Sequence, residues 1–405
     1  NTGYTNIKLI PRKLLLNGNS WQLDENNFVL ADTTGLLFNE FELVSGNQKI
    51  SFNGIIGADT TAKLQLSFHD FEAGQLNDLL SVYHVNIGGI VNGEATISAL
   101  AGKPALNADL DVKQLQWYGD TLGSAAFMAE WDSRQDKVTV NGEVTRGGVK
   151  NIQISGDYYI LEHGDRLDFT AKLQKTYVKT FAYYLDDLVS DVNGIASGEL
   201  QLKGSSSAPE LTGKLYLQRV SFVIDYLKTS YSFSTEVEIR KDKFIFKNVE
   251  LNDVKGNHAY VDGEIRHHYL DDFYFDISIL ANKTQVLNTG PADNELYYGV
   301  AYASGKVNIH GPLDYIVMDI GLESEKGTSI NLPLSNPEEV SRSGFITFIN
   351  RKDTIPVMEE GPDFSGIELN MEFDVNNNAK MYLIFVQKIG DVIEGYGEGT
   401  ITMKI

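Results

Sequence analysis

The sequence predicts an all-β protein, and three observations support this fold class: alternation, composition and an internal repeat. Apolar and polar residues alternate through most of the chain, as in residues 367–376, where Ile367, Leu369, Met371 and Phe373 are separated by acidic and amide residues. Successive side chains of a strand point to opposite faces, so a period of two indicates strands with one apolar and one solvated face. Gly, Tyr and Phe are frequent and Pro is scarce, which favours strands and tight turns.

The same alternation predicts further strands at several places along the second half of the chain. It is present in residues 198–204, 211–220, 306–311 and 315–322, and the chain closes with another such segment, residues 400–405. None of these segments has the 3.6-residue spacing of an amphipathic helix.

A longer repeat is superimposed on the alternation. Gly89, Gly194 and Gly299 are in equivalent local contexts, with spacings of 194 − 89 = 105 and 299 − 194 = 105 residues. Each is followed by a strand, a Gly, a Pro and another strand. Repeats of fixed period indicate stacked units that bury a continuous face, and a unit of this length predicts a meander of several strands.

The repeat also sets the expected domain organisation. We predict repeated β units over residues 1–326 and a different end segment over 327–405 that continues the sheet. Short helices are expected within residues 72–85 and 176–191, which precede the repeated Gly. The matching residues 284–297 of the third unit contain Gly290 and Pro291 and are expected to form a loop.

Composition excludes several classes of protein. The net charge of −21 argues against nucleic-acid binding, which needs clustered Lys and Arg. The chain has no Cys, which excludes disulfides and thiolate chemistry. It has no run of about 18 apolar residues that would predict a membrane-spanning helix. It begins at Asn1 without a Met, and we expect an N-terminal anchor or export signal to lie outside this sequence.

The candidate catalytic and metal-binding residues give no convincing site. His267 and His268 are adjacent, so on a strand they face opposite sides, and a solvated polar turn is the favoured interpretation. Asp109 and Asp111 alternate with apolar residues and are expected on a solvated face. Residues 374–380 contain three Asn and predict a hairpin turn. We therefore predict a protein that is not an enzyme and has no cofactor or metal.

Three architectures remain compatible with the alternation. The apolar faces could close as a β-sandwich, could belong to separate small β domains, or could line one long sheet that curls into an open groove. A sandwich core and an open groove both require the same alternating pattern. The periodicity of the sequence therefore does not choose among them.

The end of the chain resembles a known family. Residues 327–340, GTSINLPLSNPEEV, and residues 363–405, with the segments SGIELNMEFDV and IGDVIEGYGEG, resemble the C-terminal domain of the TamB and AsmA-like family of Gram-negative bacteria, in the form found in Bacteroidetes. The Gly-Pro-punctuated strand units upstream are similar to the family more loosely.

The resemblance implies a fold and a function. The expected fold is a β-taco, a long curled repeat sheet that forms a U-shaped groove with an apolar interior. The expected role is phospholipid transport between the inner and outer membranes, together with outer-membrane protein assembly alongside a BamA-like barrel. The protein would be periplasmic and anchored in the inner membrane by an N-terminal helix. The alternative is a scaffold, tether or chaperone for barrel insertion that carries no lipid.

Two sets of residues follow from this hypothesis. The predicted lipid-binding groove comprises Leu200, Leu202, Leu215, Leu217, Val307, Ile309, Ile316, Met318, Ile320, Ile367, Leu369, Met371, Phe373, Leu383 and Phe385. Plain core packing is the alternative for each of them. The predicted partner-docking edge strand comprises Thr400, Ile401, Thr402, Met403, Lys404 and Ile405.

Overall fold

The structure, a computed structural model, is all-β. It describes residues 5–10, 13–25, 27–33, 35–57, 62–81, 85–98, 105–161, 164–185, 188–294, 297–333, 366–386 and 391–404. The described helices are short: 3₁₀ turns at Ala73–Leu76 and Val178–Leu185, and α1 at Asn77–Leu80. The predicted all-β class with few short helices is confirmed.

The described strands run in chain order and lengthen after the first few. The first thirteen are β1 Thr5–Ile7, β2 Leu14–Leu16, β3 Asn19–Leu23, β4 Phe28–Ala31, β5 Gly35–Ser45, β6 Gln48–Gly57, β7 Lys63–Glu72, β8 Ile87–Ser98, β9 Ala105–Trp117, β10 Asp120–Asp132, β11 Lys137–Arg146, β12 Val149–Leu161 and β13 Gly164–Tyr177. The remainder are β14 Val189–Ser205, β15 Ala208–Ile224, β16 Thr229–Arg240, β17 Lys243–Asp253, β18 His258–His268, β19 Asp271–Thr289, β20 Tyr298–Pro312, β21 Ile316–Ser324, β22 Ser329–Pro333, β23 Ile367–Val375, β24 Lys380–Val386, β25 Asp391–Tyr396 and β26 Gly399–Lys404.

The chain divides into two units. The N-unit comprises Asn1–Tyr184, Gly194–Leu217 and Glu238–Lys241, and the C-unit comprises Leu185–Asn193, Gln218–Val237 and Asp242–Ile405. In the N-unit, each strand from β5 to β14 pairs antiparallel with the next one in the chain. This is the long repeat sheet that the family resemblance implied.

The repeat corresponds to six strands. Gly89 lies in β8, Gly194 in β14 and Gly299 in β20, close to the start of each strand. All three have positive φ angles of 119°, 116° and 143°, which glycine adopts without steric cost. A multi-strand meander is therefore the repeating element. The predicted boundary at residue 327 stays a prediction, and Gly327 itself lies in the turn between β21 and β22.

The C-unit sheet divides into two branches at β20. The C-terminal half of β20 pairs with β21, which continues through β23 to β26. The N-terminal half of β20 pairs with β22, which continues through β24 to β25. The β21–β23 and β22–β24 pairs are parallel, so the C-unit sheet is mixed, whereas the neighbouring pairs of the N-unit are antiparallel.

Two sequence predictions are wrong in this region. Residues 376–379 do not close a hairpin, because β23 pairs with β21 and β26 whereas β24 pairs with β22 and β25. The turn is a corner at which the chain passes from one branch to the other. The loop predicted over 284–297 starts later than expected, because β19 continues to Thr289 and pairs with β20 along that stretch.

Candidate functional site

One face of the N-unit sheet carries uninterrupted rows of apolar side chains and glycines across ten strands. Cross-strand partners form the first row, Leu43, Ile50, Phe68, Gly93, Leu110, Phe127, Gly142, Ile154, Ala171 and Leu200. The second row is Phe41, Phe52, Leu66, Ala95, Ala108, Ala129, Val140, Gly156, Phe169 and Leu202. These two rows are the N-unit apolar face. Nine inter-strand spacings of about 4.8 Å make it about 43 Å long.

A third row lies beside the first and is more deeply buried. It runs through Phe71, Val91, Val112, Ala125, Val144, Ile152 and Leu173. Phe71, Val112, Ala125, Val144 and Leu173 are buried, whereas most of the N-unit apolar face is only half-buried. The sheet therefore has a packed floor with an apolar surface beside it that solvent partly reaches.

The C-unit repeats this arrangement over seven strands. One row is Val249, Val261, Ile279, Val307, Ile320 and Met371, and beside it lies a second row, Phe246, Gly263, Ile277, Ile309, Met318 and Leu369. These two rows are the C-unit apolar face. Its floor row is Leu251, Ala259, Ala281, Gly305, Leu322, Phe373 and Ile401, in which Ala259, Ala281, Leu322 and Phe373 are buried.

The opposite face of the C-unit sheet carries a polar network. In the C-unit, Tyr315 donates to Glu368 at 2.6 Å, and the Asn370 amide bridges Glu368 and Asp319 at 3.1 and 3.2 Å. The hydroxyl of Tyr315 and then Asn370 lower the pKa of Glu368, and His310 followed by Asn370 lowers the pKa of Asp319. Both carboxylates are thus stabilised in their charged form on the solvated side of the strands that carry the C-unit apolar face.

An open pocket lies where the two C-unit branches end. It has a volume of about 230 Å³, and its apolar lining comes from Leu332 and Met381 of one branch and from Val375 and Ile401 of the other. Residues 397–400 complete its lining. Leu332, Met381 and Ile401 of this lining also pack against a buried apolar cluster that contains Ile330 and Phe373.

A family model matches the part of the chain that carries this pocket. Residues 247–405 match the TamB C-terminal domain. This chain contains a TamB C-terminal domain. The family predicted from residues 327–340 and 363–405 is confirmed, and the match begins well upstream of them, in β17. Comparison with curated proteins gave no match, and comparison with solved structures gave none either.

The predicted groove residues are distributed over both units. Leu200 and Leu202 lie on the N-unit apolar face, and Leu215 and Leu217 lie half-buried on β15. In the TamB domain, the C-unit apolar face includes Val307, Ile309, Met318, Ile320, Leu369 and Met371. Ile316 pairs with Ile367 at the end of the same strands.

Phe373, Leu383 and Phe385 differ from the other predicted groove residues. Phe373 is buried in the floor of the C-unit, so it is a core residue of the TamB domain. Leu383 is half-buried on the second branch, where it pairs with Leu332 and Ile393. Phe385 is 44% exposed and therefore contributes little to any packed interior.

The predicted docking strand is β26. Residues 399–404 pair antiparallel with β23, with Thr400 opposite Asp374 and Lys404 opposite Asn370. Within the described part of the TamB domain, β26 pairs with one strand, β23. The side chain of Met403 and all of Ile405 lie outside the described residues.

His267 corrects the prediction of a solvated turn. Its ring is buried against Phe244 and Phe273, and its Nδ1 accepts a hydrogen bond from the Leu270 N–H at 3.1 Å. Burial lowers the pKa of His267, although nearby Asp242 acts in the opposite direction. His268 is exposed, as expected for the other side of the strand. Among the described residues, no cluster of three His, Asp or Glu side chains is arranged to hold a metal ion.

The long strands bend at bulges that the sequence prediction missed. Asp70, Lys175 and Lys283 each have a positive φ at a register shift. Their N–H groups donate to a side chain on the neighbouring strand, Asn92, Ser197 or Ser304, at 2.9–3.0 Å. A bulge bends its strand and increases the local twist.

The signal for these bends is a polar residue followed by glycine. Asn92-Gly93, Ser197-Gly198 and Ser304-Gly305 all have it: the polar side chain caps the bulge and the glycine faces the apolar rows. A Cβ at Gly93, Gly198 or Gly305 would lie 2.1–2.3 Å from a carbonyl oxygen of the next strand. Only glycine allows that close approach.

None of the described helices combines the length and apolar character needed to cross a membrane.

Proposed function

We propose that this chain is part of a periplasm-spanning TamB-like protein whose apolar faces carry phospholipid between the inner and outer membranes. The observation that supports the proposal best is the continuity of the apolar rows. In the N-unit the rows cross ten strands and in the C-unit up to seven, and each described position in them is apolar or glycine.

Continuity matters because an acyl chain in water is costly, at about 0.8 kcal/mol for each exposed CH₂ group. A surface that remains apolar from strand to strand removes most of this cost at every step of a path. Half of a bilayer's hydrocarbon core is about 15 Å thick, so the N-unit apolar face exceeds the extent of one lipid leaflet. A lipid can therefore move along it without meeting a polar barrier.

Half-burial supports a solvent-accessible groove over a sealed core. Ile309, Met318 and Ile320 are half-buried, whereas Ala281 and Leu322 in the adjoining floor row are buried. Residues that pack between two closed sheets are expected to be buried throughout. Headgroups would remain in water beside the groove, so this surface needs no specific polar partner.

The lipid proposal is tested by extraction and mass spectrometry of the full chain purified without detergent from bacteria. Leu202→Asp and Ile309→Asp place a charge on the two apolar faces. Gln201→Asp and Asn308→Asp are matched controls, because each places the same charge on the opposite face of the same strand.

We expect phospholipid to co-purify with the wild type and with both controls, and to be lost from the two apolar-face variants. Far-UV circular dichroism establishes that each variant is folded. If the wild type carries no phospholipid, the transport proposal fails.

A non-transporting scaffold is the second candidate function. It is favoured by the first strands of the N-unit, where Trp21, Ile50 and Phe71 form a buried cluster. Under this hypothesis, the faces serve as packing surfaces while the protein tethers two membranes or guides nascent barrels. Folded apolar-face variants with the same lipid content as the wild type would favour it.

Docking to a BamA-like outer-membrane barrel completes the proposal and links it to outer-membrane protein assembly. β26 has β23 on one side, and strand addition on its other side would satisfy its backbone groups. Removal of residues 399–405 is expected to abolish co-purification with the barrel. Retained binding would contradict docking through this strand. An inner-membrane anchor N-terminal to the chain remains part of the proposal.

A further inference from the structure

The β2–β3 hairpin lies across the start of the N-unit apolar face. β3 pairs with β5 only through Gln22 and Leu23, beside a hydrogen bond from the Ser45 hydroxyl to the Ser20 carbonyl at 2.9 Å. Its turn extends away from β5, and the side-chain amide of Asn17 donates to the Gly74 carbonyl at 2.9 Å. Gly74 follows β7, so the hairpin crosses β5, β6 and β7.

The hairpin packs apolar side chains against the first residues of the N-unit rows. Trp21, Leu14 and Leu16 pack in one cluster with Ile50 and Phe71. Trp21 is 3% exposed, and Phe71 is 1% exposed. Farther along the same rows, Leu110, Phe127 and Ile154 are half-buried.

We propose that the hairpin is a displaceable cover: a phospholipid acyl chain replaces Leu14, Leu16 and Trp21 on the N-unit apolar face, and the hairpin swings aside about Gln22 and Leu23, the residues that pair with β5. This inference rests on the proposed lipid transport. It assigns the surface beneath the hairpin as an acyl-chain site and the hairpin as its gate.

The contacts of the hairpin fit a cover that opens. Its polar attachment is concentrated at the β5 end, and Asn17 forms a single latch at the other end. Among the described residues, the buried Trp21 Nε1 and Gln75 Oε1 have no hydrogen-bond partner. A buried polar group without a partner disfavours the closed arrangement. The side chains that cover the rows are apolar, and an acyl chain can replace their contacts.

The tryptophans allow the cover and the open face to be measured separately. Trp21 is on the hairpin, whereas Trp131 pairs with Val138 on the same face as Ala129, away from the hairpin. We would prepare one protein that keeps only Trp21, with Trp117→Phe and Trp131→Phe, and one that keeps only Trp131, with Trp21→Phe and Trp117→Phe.

Each protein is incubated with phosphatidylcholine vesicles whose acyl chains are brominated, then separated from them by flotation. Bromine quenches tryptophan emission on contact, and vesicles without bromine give the reference. We expect quenching of Trp131, together with a red shift of Trp21 emission in vesicles without bromine, because Trp21 leaves its buried cluster for water. Quenched Trp131 with an unshifted Trp21 emission would overturn the cover alone, because lipid then binds while the hairpin stays in place. If Trp131 is not quenched, the transport proposal fails as well.

The latch supplies a second test. Asn17→Gly preserves the turn, because residue 17 has a φ of 45° that glycine adopts freely, but it removes the bond to Gly74. The loss of one hydrogen bond should raise the apparent lipid affinity at Trp21 about two- to tenfold. Leu15→Ser is the control, because Leu15 is on the same hairpin and is 48% exposed. Asn17→Gly is made in the protein that keeps only Trp21, and a lipid-binding curve equal to that of this parent protein would contradict the latch.

Discussion

The first strands of the N-unit and the last strands of the C-unit both carry rows of apolar side chains, but a hairpin covers the first and an open pocket lies beside the last. In the N-unit, the rows start beneath a hairpin and are rich in aromatic residues such as Phe41, Phe52 and Phe68. In the C-unit, the floor row ends at Ile401, which lines an open pocket together with Leu332, Val375 and Met381. The alternation that produces the rows is common to both, so what covers the rows decides whether they form core or an accessible surface.

This difference shows that an apolar strand face has no fixed role. Ile50 of the first row is buried beneath the hairpin, whereas Leu110 farther along that row and Ile309 of the C-unit apolar face are half-buried, without such a cover over them in the described residues. An apolar side chain beneath the hairpin should therefore contribute more to the free energy of unfolding than one on the C-unit apolar face. Truncation of side chains measures that difference directly.

The largest expected effect is the loss of the Phe71 ring. Phe71→Ala should lower the free energy of unfolding of the N-unit by about 3–5 kcal/mol, because it leaves a cavity in a closed cluster. Ile309→Ala should cost about 1 kcal/mol, because its side chain is only half removed from water. Urea unfolding followed by circular dichroism measures both. A cost for Ile309→Ala equal to that for Phe71→Ala would show that the C-unit apolar face is a sealed core.

The second effect compares the close glycine contacts of the two units. A Cβ at Gly93 would lie 2.1 Å from the Asp109 carbonyl oxygen, and one at Gly263 would lie 2.3 Å from that of Asp276. Both glycines have positive φ, so either change to Ala should cost about 3 kcal/mol.

All three tryptophans are in the N-unit, which makes it possible to assign each glycine effect to its unit. Gly93→Ala should shift the unfolding curve followed by tryptophan emission, and Gly263→Ala should shift the curve followed by circular dichroism. Gly147→Ala is the control, because a Cβ there has open space and only the strain of a positive φ. If Gly147→Ala shifted the unfolding curve as much as Gly93→Ala, the positive φ and not the close contact would account for the loss of stability.

The strands and their apolar faces could be predicted from the sequence because period-two alternation is a local property. Leu200, Val307, Ile320 and Met371 lie on the predicted face for this reason. The 105-residue repeat likewise predicted a multi-strand unit, because Gly89, Gly194 and Gly299 occupy equivalent strands.

Features that depend on which strands pair with each other could not be predicted from the sequence. The turn at residues 376–379 has the composition of a hairpin, and only the pairing of β23 and β24 with different branches makes it a corner. His267 is buried because Phe244 and Phe273 are brought beside it by neighbouring strands. The β2–β3 hairpin gives no sequence signal that distinguishes a cover from a sheet strand.

The last expected effect comes from the buried polar side chains beside two bulges, which are an amide on β12 in the N-unit and a carboxylate on β17 in the C-unit. Near the bulge of β13 in the N-unit, the neutral amide of Asn151 accepts from the Arg146 N–H at 3.1 Å and donates to the Gln174 carbonyl at 3.0 Å. Near the bulge of β19 in the C-unit, six strands later, Asp253 accepts from the N–H groups of Asn257 and Gln285 at 2.9 and 3.0 Å.

Asp253 should therefore make the stability of the C-unit depend on pH. Burial raises the pKa of Asp253, but hydrogen bonds from Asn257 and from the backbone of Gln285 outweigh that effect and hold it below its ordinary value of 3.8. A depressed carboxyl pKa adds stability that is fully present above the unfolded value and is lost as the pH falls through the folded value. Asp253→Asn should cost about 2 kcal/mol at pH 7, and the cost should shrink below pH 4.

Urea unfolding from pH 7 to pH 3 measures this effect, with Asp374→Asn on the exposed face as the control. The tryptophan-reported N-unit curve should not respond to Asp253→Asn, because Asp253 belongs to the C-unit and the tryptophans belong to the N-unit. A cost that stays constant down to pH 3 would show that Asp253 acts through the shape of its hydrogen bonds alone. The two units would then be held at their bends in the same way, and their difference would lie only in what covers their apolar faces.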